Sequence, residues 1–182
     1  MIPAMNENRT VTKLTDHKWM NLYVSSDEYE KAFYFAERNG IDSIAFLCFK
    51  EELGNPLVLV NYEYKPPIGT FLRGAFGGSL DKTSDPLQTV IAEVKEEAGY
   101  GVEPKDVIGL GEVFVSSMKN QFCHLYLVKV SEDRKVGRDP QNAAETAAET
   151  EWVDPSDVFL FSDWKAITIV SKAVRLGWIK LP

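Results

Sequence analysis

Glu93, Glu96 and Glu97 stand at (i, i+3, i+4) spacing near the end of the segment Gly77–Tyr100, G-G-S-L-D-K-T-S-D-P-L-Q-T-V-I-A-E-V-K-E-E-A-G-Y. On a helix these positions share one face, and like charges four residues apart destabilise it by about 0.2–0.5 kcal/mol. Such a cluster calls for a positive partner. A hard divalent cation prefers oxygen ligands, and metal-assisted chemistry on phosphates is what bound cations of this kind carry out. A solvated acidic face is the ordinary reading of a charged surface helix. The glycine turn, the helix cap and the acidic triplet occurring together favour the metal site.

The helix that must present these carboxylates is legible from elementary rules. Asp85 is a good N-cap and Pro86 suits the first helical position, where a missing N–H costs nothing. Gln88 has capping-box spacing from Asp85. Gly99 is the expected C-terminal stop. Leu87, Val90, Ile91, Val94 and Ala98 recur at helical spacing and predict a buried stripe. At ~100° per residue the carboxylates centre roughly 120° from that stripe. They are expected to project beside the core, toward a tight turn at Gly77–Gly78.

At these residues the chain resembles the Nudix hydrolases, whose box reads Gly, five residues, Glu, seven residues, then Arg-Glu-apolar-any-Glu-Glu-any-Gly-apolar. Gly78 matches the first glycine, and Glu93, Val94, Glu96, Glu97, Gly99 and Tyr100 match the closing half. Two positions depart: Ser84 stands at the first Glu and Ala92 at the Arg. In the family that pair braces the loop–helix geometry; here both members are absent together, and Asp81 is a nearby carboxylate. The resemblance extends to Pro56–Tyr64 as a strand before the box, Gln121–Val130 as a central strand after it, and Thr150–Val153 as a last strand leading to a final helix.

The resemblance implies an α/β/α sandwich with a mixed sheet, residues 41–182, preceded by an N-terminal β extension, residues 1–40. It implies Mg²⁺ or Mn²⁺ held by Glu93, Glu96, Glu97 and the Gly77 carbonyl, with hydrolysis of a nucleoside diphosphate linked to another moiety. The general base in such enzymes is a box glutamate, here Glu96, or one on a loop before the last strand, here Glu145 or Glu149. Tyr64, Phe71, Arg73 and Gly78 are the expected substrate contacts: an aromatic can stack on a base and Arg can fork onto a phosphate. Packing on a half-buried strand is the bland reading of the aromatics.

Strands before the core resemble those of ADP-ribose pyrophosphatases, where such an extension often builds a dimer. ADP-ribose or an ADP-sugar is therefore the first expected substrate, and a homodimer the expected association. That group often carries a proline shortly after the box, where this chain reads Val115-Ser116-Ser117-Met118. The competing reading is a non-catalytic Nudix-like module that binds a nucleotide or partner, favoured by Ser84 and Ala92. A bare acidic interaction domain would have no need of the glycines before the helix.

The rest of the sequence bounds these readings. The chain has 182 residues, 45% of them apolar and 26% charged, ordinary for a globular fold with one full core. No apolar run is long enough to span a bilayer, and the first residues, read as a frayed leader, lack a signal-peptide pattern. A net charge of −7 argues against a general nucleic-acid surface. It leaves a phosphate substrate open, because bound cations invert the local field. Cys48 and Cys123 read as buried, reduced thiols, which points weakly to a cytoplasmic setting. His17 and His124 are isolated histidines.

Local patterns predict a strand within residues 11–24. Residues 28–38 read as helix or strand, with the Phe33/Phe35 alternation favouring strand. Ile44–Lys50 and Leu57–Tyr64 read as strands around a Gly54-Asn55-Pro56 turn. Residues 131–150 read as a loop with a short helix at 142–149. Ser162 or Asp163 is the expected cap of a last helix stopped by Gly177. Trp152, Trp164 and Trp178 read as core or interface.

Overall fold

The structure is a computed structural model that describes residues 8–38, 42–81 and 84–181. Its strands are β1 (Thr10–Lys13), β2 (Met20–Ser26), β3 (Phe33–Arg38), β4 (Ser43–Glu52), β5 (Asn55–Lys65), β6 (Thr70–Gly74), β7 (Phe76–Ser79), β8 (Val107–Ser116), β9 (Lys119–Lys129) and β10 (Glu149–Val153). Its helices are α1 (Pro86–Glu93), α2 (Ala143–Ala147) and α3 (Trp164–Arg175). One mixed sheet runs β1-β2-β3-β9-β4-β5-β10, with β6 on β5, β7 on β4 and β8 on β9.

The strand β4 shows why two helical layers form. Ile44 to Phe49 are all buried, so this strand is apolar on both faces, as an interior strand must be. Period-two alternation sends Ala45, Leu47 and Phe49 toward Ala166, Ile169, Val170 and Ala173 of α3. Ile44, Phe46 and Cys48 point the other way, to Val90, Val94, Ala98 and Tyr100. Each fully buried Leu, Ile, Val or Phe contributes about 1.5–3 kcal/mol relative to exposure. The result is the expected helix–sheet–helix sandwich, and both cysteines are buried and free.

The turn between β4 and β5 differs from the expectation. It is made by Leu53 and Gly54, both at positive φ (52° and 83°), as a two-residue hairpin loop demands. Asn55 and Pro56 already belong to β5, where Pro56 lies opposite Glu51. The segment 27–38 resolves as a turn followed by β3, which pairs antiparallel with β2 through Ser25↔Phe33 to Met20↔Arg38. Among the described residues β3 joins the main sheet through one parallel pair, Ala36↔Lys119. Asn39-Gly40, a dipeptide that marks a tight turn in sequence, lies outside the described residues.

Asp163 caps α3 and also ties it to the sheet. Its carboxylate accepts from the backbone N–H of Lys165 (3.2 Å) and of Ala75 (2.7 Å). This brings the first turn of α3 beside β7, where the candidate site lies.

Candidate active site

Gly77 and Gly78 lie in strand β7, opposite Ala45 and Ile44 of β4, and not in the expected tight turn. Their glycine identity has a steric cause. A Cβ on Gly78 would lie 2.3 Å from Glu93 Oε1, and one on Gly77 would lie 3.0 Å from the Ile44 carbonyl. The strand is stripped of side chains so that a carboxylate of the following helix can lie against its backbone.

The helix begins as expected. Asp85 accepts from Leu87 N–H (3.0 Å) and Pro86 follows at the first position. The Asp85 carboxylate bonds to Leu87 and not to Gln88, and Gln88 is exposed. Ser84 and Asp81 form a small turn of their own, Ser84 Oγ donating to Asp81 Oδ1 at 2.8 Å. Asp81 is exposed and outside the cleft lining, and Ala92, at the family's Arg position, is also exposed. Beyond Glu93 the backbone widens into a π-type turn, Val94–Ala98, closed by Gly99 at φ 79°. Such widened turns recur at functional sites.

That turn alters where the carboxylates go. The regular helix expected from the sequence keeps all three beside the core. Glu97 is instead only 9% exposed, and its Oε2 is buried with no hydrogen-bond partner. Burial, then the charges of Glu93, Glu145 and Glu63, push the Glu97 carboxyl up to about 8, against the Gly77 N–H bond that lowers it. Burial, then Glu96 and Glu145, push Glu93 up to about 7.

Glu97 faces a cleft of about 470 Å³ whose wall also includes Glu63, Gly77, Gly78, Asn142 and Glu145. Glu145 enters it from α2. Its carboxylate accepts from Gln141 N–H (2.6 Å) and from the Asn142 side chain, while Asn142 Oδ1 accepts from Glu145 N–H (3.0 Å). This reciprocal cap fixes the glutamate at the start of a very short helix.

Arg138 holds the same segment from behind. Its guanidinium donates to the Ala148 (2.6 Å) and Glu145 (2.7 Å) carbonyls. The backbone around it is bonded to the box helix: Val136 N–H donates to Gly99 O (2.9 Å) and Asp139 N–H to Glu96 O (2.9 Å). The expected loop 131–150 is thus a strap that ties the acidic helix to α2.

The other expected residues fall elsewhere. Glu96 is half-buried beside Glu93, and Glu149 is exposed at the start of β10, opposite Tyr62 and away from the cleft lining. Tyr64 and Phe71 pack edge to face at 5.4 Å, Phe71 also contacts Tyr62 at 5.2 Å, and Arg73 pairs with Glu151 at 2.8 Å. None of these four lines the cleft. The reason is strand alternation: Tyr62 and Tyr64 take one face of β5, and Glu63 and Lys65 take the other, which lines it.

Lys65 pairs there with Glu63 at 2.6 Å. Arg38, Lys119 and Lys165, none of them expected from the sequence, also line the cleft. The alternation of β5 was a readable signal for Glu63 and Lys65. Arg38 and Lys119 come together only through the long-range β3–β9 pairing. Trp164, expected as core or interface, is 39% exposed at the cleft wall.

A divalent cation fits this donor set in one respect and asks for a change in another. The buried, unpartnered Glu97 oxygen and the negative charge crowding Glu93 and Glu97 are what a cation would relieve. Yet among the described residues no three His, Cys, Asp or Glu side chains are gathered closely enough to hold a metal. As the described side chains stand, no more than two carboxylates reach a common point, so a bound cation would take the rest of its oxygen shell from backbone, water or substrate.

Residues 41–172 match the family profile of the NUDIX domain. An uncharacterized Nudix hydrolase of Schizosaccharomyces pombe is 31% identical over 94 residues, which cover 47% of this chain and 46% of that protein. The chain thus matches about half the length of that curated relative. A crystal structure titled as that of an ADP compounds hydrolase superposes with a TM-score of 0.73 at 9% identity, covering 92% of this chain and 91% of the other. The second likeness is one of fold. Among the described residues no helix is long and apolar enough to cross a membrane.

Proposed function

The chain belongs to the Nudix family, and from that premise we propose that it is a divalent-metal-dependent hydrolase of nucleoside diphosphates linked to a second moiety. The observation that carries this reading is the buried Glu97 oxygen, left without a partner beside Glu93 and within the field of Glu145. A pure binding module gains nothing from that arrangement, which costs several kcal/mol of unfavourable desolvation unless a cation is bound.

Glu93, Glu97 and the Gly77 carbonyl would hold Mg²⁺ or Mn²⁺, with Glu96 alongside. Bound there, the ion supplies polarisation of phosphoryl oxygens and charge neutralisation of the leaving phosphate. The chain's own residues do the rest. Lys165, at the first turn of α3 and 4.0 Å from the Cβ position of Gly77, balances phosphate charge. Glu145, held by its cap and by Arg138, accepts a proton from the attacking water at its carboxylate. Glu96 and Glu149 are the alternative bases, and neither lines the cleft.

ADP-ribose or an ADP-sugar is the first substrate class, in keeping with the name of the structural neighbour. Residues 1–40 act as an extension to the hydrolase domain 41–182. The exposed Trp19, Leu22, Phe33 and Tyr34 of its strands and loops support a homodimer built through it. Light scattering tests that assembly.

The deciding experiment is a hydrolysis screen with Mg²⁺ and Mn²⁺ over ADP-ribose, nucleotide sugars, dinucleoside polyphosphates, NADH, CoA and nucleoside triphosphates. Turnover abolished by chelator and by Glu97→Gln supports the enzyme. Ala92 and Ser84, in place of the family's Arg and first Glu, favour the second reading, a nucleotide-binding module without turnover. Tight binding with no hydrolysis of any compound would select it.

A further inference from the structure

Four cationic side chains line the cleft: Arg38, Lys65, Lys119 and Lys165. In a chain of net charge −7 this is a local reversal of sign. Lys65 is paired with Glu63. Among the described residues, Arg38, Lys119 and Lys165 form no ion pair.

The strand register separates these cations into two groups. Gly77 lies opposite Ala45, and Ala45 lies opposite Leu125 of β9. Lys119 is six residues from Leu125 on the same strand, about 20 Å at ~3.3 Å per residue. Arg38 lies two residues beyond the parallel pair Ala36↔Lys119, level with Gln121, which is about 13 Å from that row by the same rise. Lys165 sits by Gly77 itself. A diphosphate held at Gly77 and Glu97 engages Lys165 and leaves Arg38 and Lys119 beyond its reach.

The distal pair is also held in place. Ala36 N–H donates to Met118 O (2.8 Å), and Asn120 Nδ2 donates to Glu37 Oε2 (2.9 Å). The acid adjacent to Arg38 is thus engaged by an amide, on the opposite side of the strand. Gln121, level with Arg38 and two residues along β9 from Lys119, adds a neutral donor to the same wall.

We propose that Arg38 and Lys119, with Gln121, form an anion subsite at the far end of the cleft that selects substrates bearing a phosphate monoester outside the scissile diphosphate. A planar guanidinium and a point-charged ammonium together suit a dianionic phosphate better than a sugar hydroxyl. The N-terminal extension thereby contributes a specificity residue. This inference rests on the reading of the Gly77–Glu97 end as the diphosphate site.

The test uses two ligand pairs that differ by one phosphate monoester: NADPH against NADH, and CoA against dephospho-CoA. Binding is measured by calorimetry with Mg²⁺ for the wild type, for Arg38→Gln with Lys119→Gln, and for Arg38→Glu with Lys119→Glu, with circular dichroism as the folding control. The expected wild-type result is at least about tenfold tighter binding of the phosphorylated member, shrinking in high salt. The neutral pair of substitutions should erase that preference and the acidic pair invert it, with the unphosphorylated member little changed. Equal binding of both members by the wild type overturns the subsite, as does binding of neither. Preference without turnover of any compound removes the hydrolase reading and leaves the subsite; turnover without preference does the reverse.

Discussion

Replacing Glu97 by glutamine should stabilise the metal-free protein at alkaline pH and leave it nearly unchanged at pH 5. The unfolded carboxyl ionises near 4.5, whereas in the fold it is pushed up to about 8. A raised value means that the contribution of this group is fully present below the unfolded value and is lost as pH climbs through the folded one. At ~1.4 kcal/mol per unit, the full interval corresponds to about 5 kcal/mol. Side-chain relaxation and entry of sodium ions reduce this, so about 2–4 kcal/mol is expected between pH 5 and pH 9.

Glutamine keeps the shape and does not titrate. In EDTA, urea unfolding of wild type and variant should coincide near pH 5 and diverge by roughly 10 °C equivalent in Tm by pH 9, since ~1 kcal/mol is worth ~2–4 °C at this size. Added Mg²⁺ should rescue the wild type and do little for the variant. Parallel stability curves from pH 5 to pH 9 would refute the argument that Glu97 is a buried charge awaiting a cation.

Gly78→Ala should leave the fold intact and weaken Mg²⁺ binding by about tenfold or more, because its Cβ would land 2.3 Å from the Glu93 carboxylate and displace it; metal titration reads this. Arg138→Ala should lower kcat by about 10–100-fold with little change in Mg²⁺ affinity, since it frees the Glu145 and Ala148 carbonyls, and should cost about 1–3 kcal/mol in urea unfolding. Asp163→Ala removes the α3 cap and the acceptor of Ala75 N–H together, so a loss of about 2–3 kcal/mol is expected by the same assay.

The acidic helix was legible because its signals are local: the Asp85 cap, Pro86, the apolar spacing and the Gly99 stop all act within one segment. What local rules could not show was the π-type turn at Val94–Ala98, whose end meets Tyr100 in the core and the strap residues Val136 and Asp139 through backbone hydrogen bonds. It turned Glu97 from a flank position into a buried one. The same limit explains Tyr64, Phe71 and Arg73. Their residue types suit a nucleotide, yet which face of β5 meets the cleft is decided by the partners β6 and β10, and the register put Glu63 and Lys65 there. Gly77 and Gly78 were expected in a tight turn but lie in β7, where a Cβ on Gly78 would meet the Glu93 carboxylate and one on Gly77 the Ile44 carbonyl. Arg38 and Lys119 were out of reach of any local pattern, since only the join of β3 to β9 brings them side by side.

The parallel ladder between β4 and β9 has a consequence for how the chain reaches its native state. Its register starts at Ser43↔Cys123, so the two innermost strands are contributed by segments eighty residues apart. During synthesis the run Ile44–Phe49, apolar on both sides, leaves the ribosome with its hairpin mate β5 but long before its parallel neighbour. Distant pairing of this kind slows folding and prolongs exposure of sticky edges. Truncations that stop short of residue 129 should therefore accumulate as chaperone-bound or insoluble nascent chains, however complete their acidic helix.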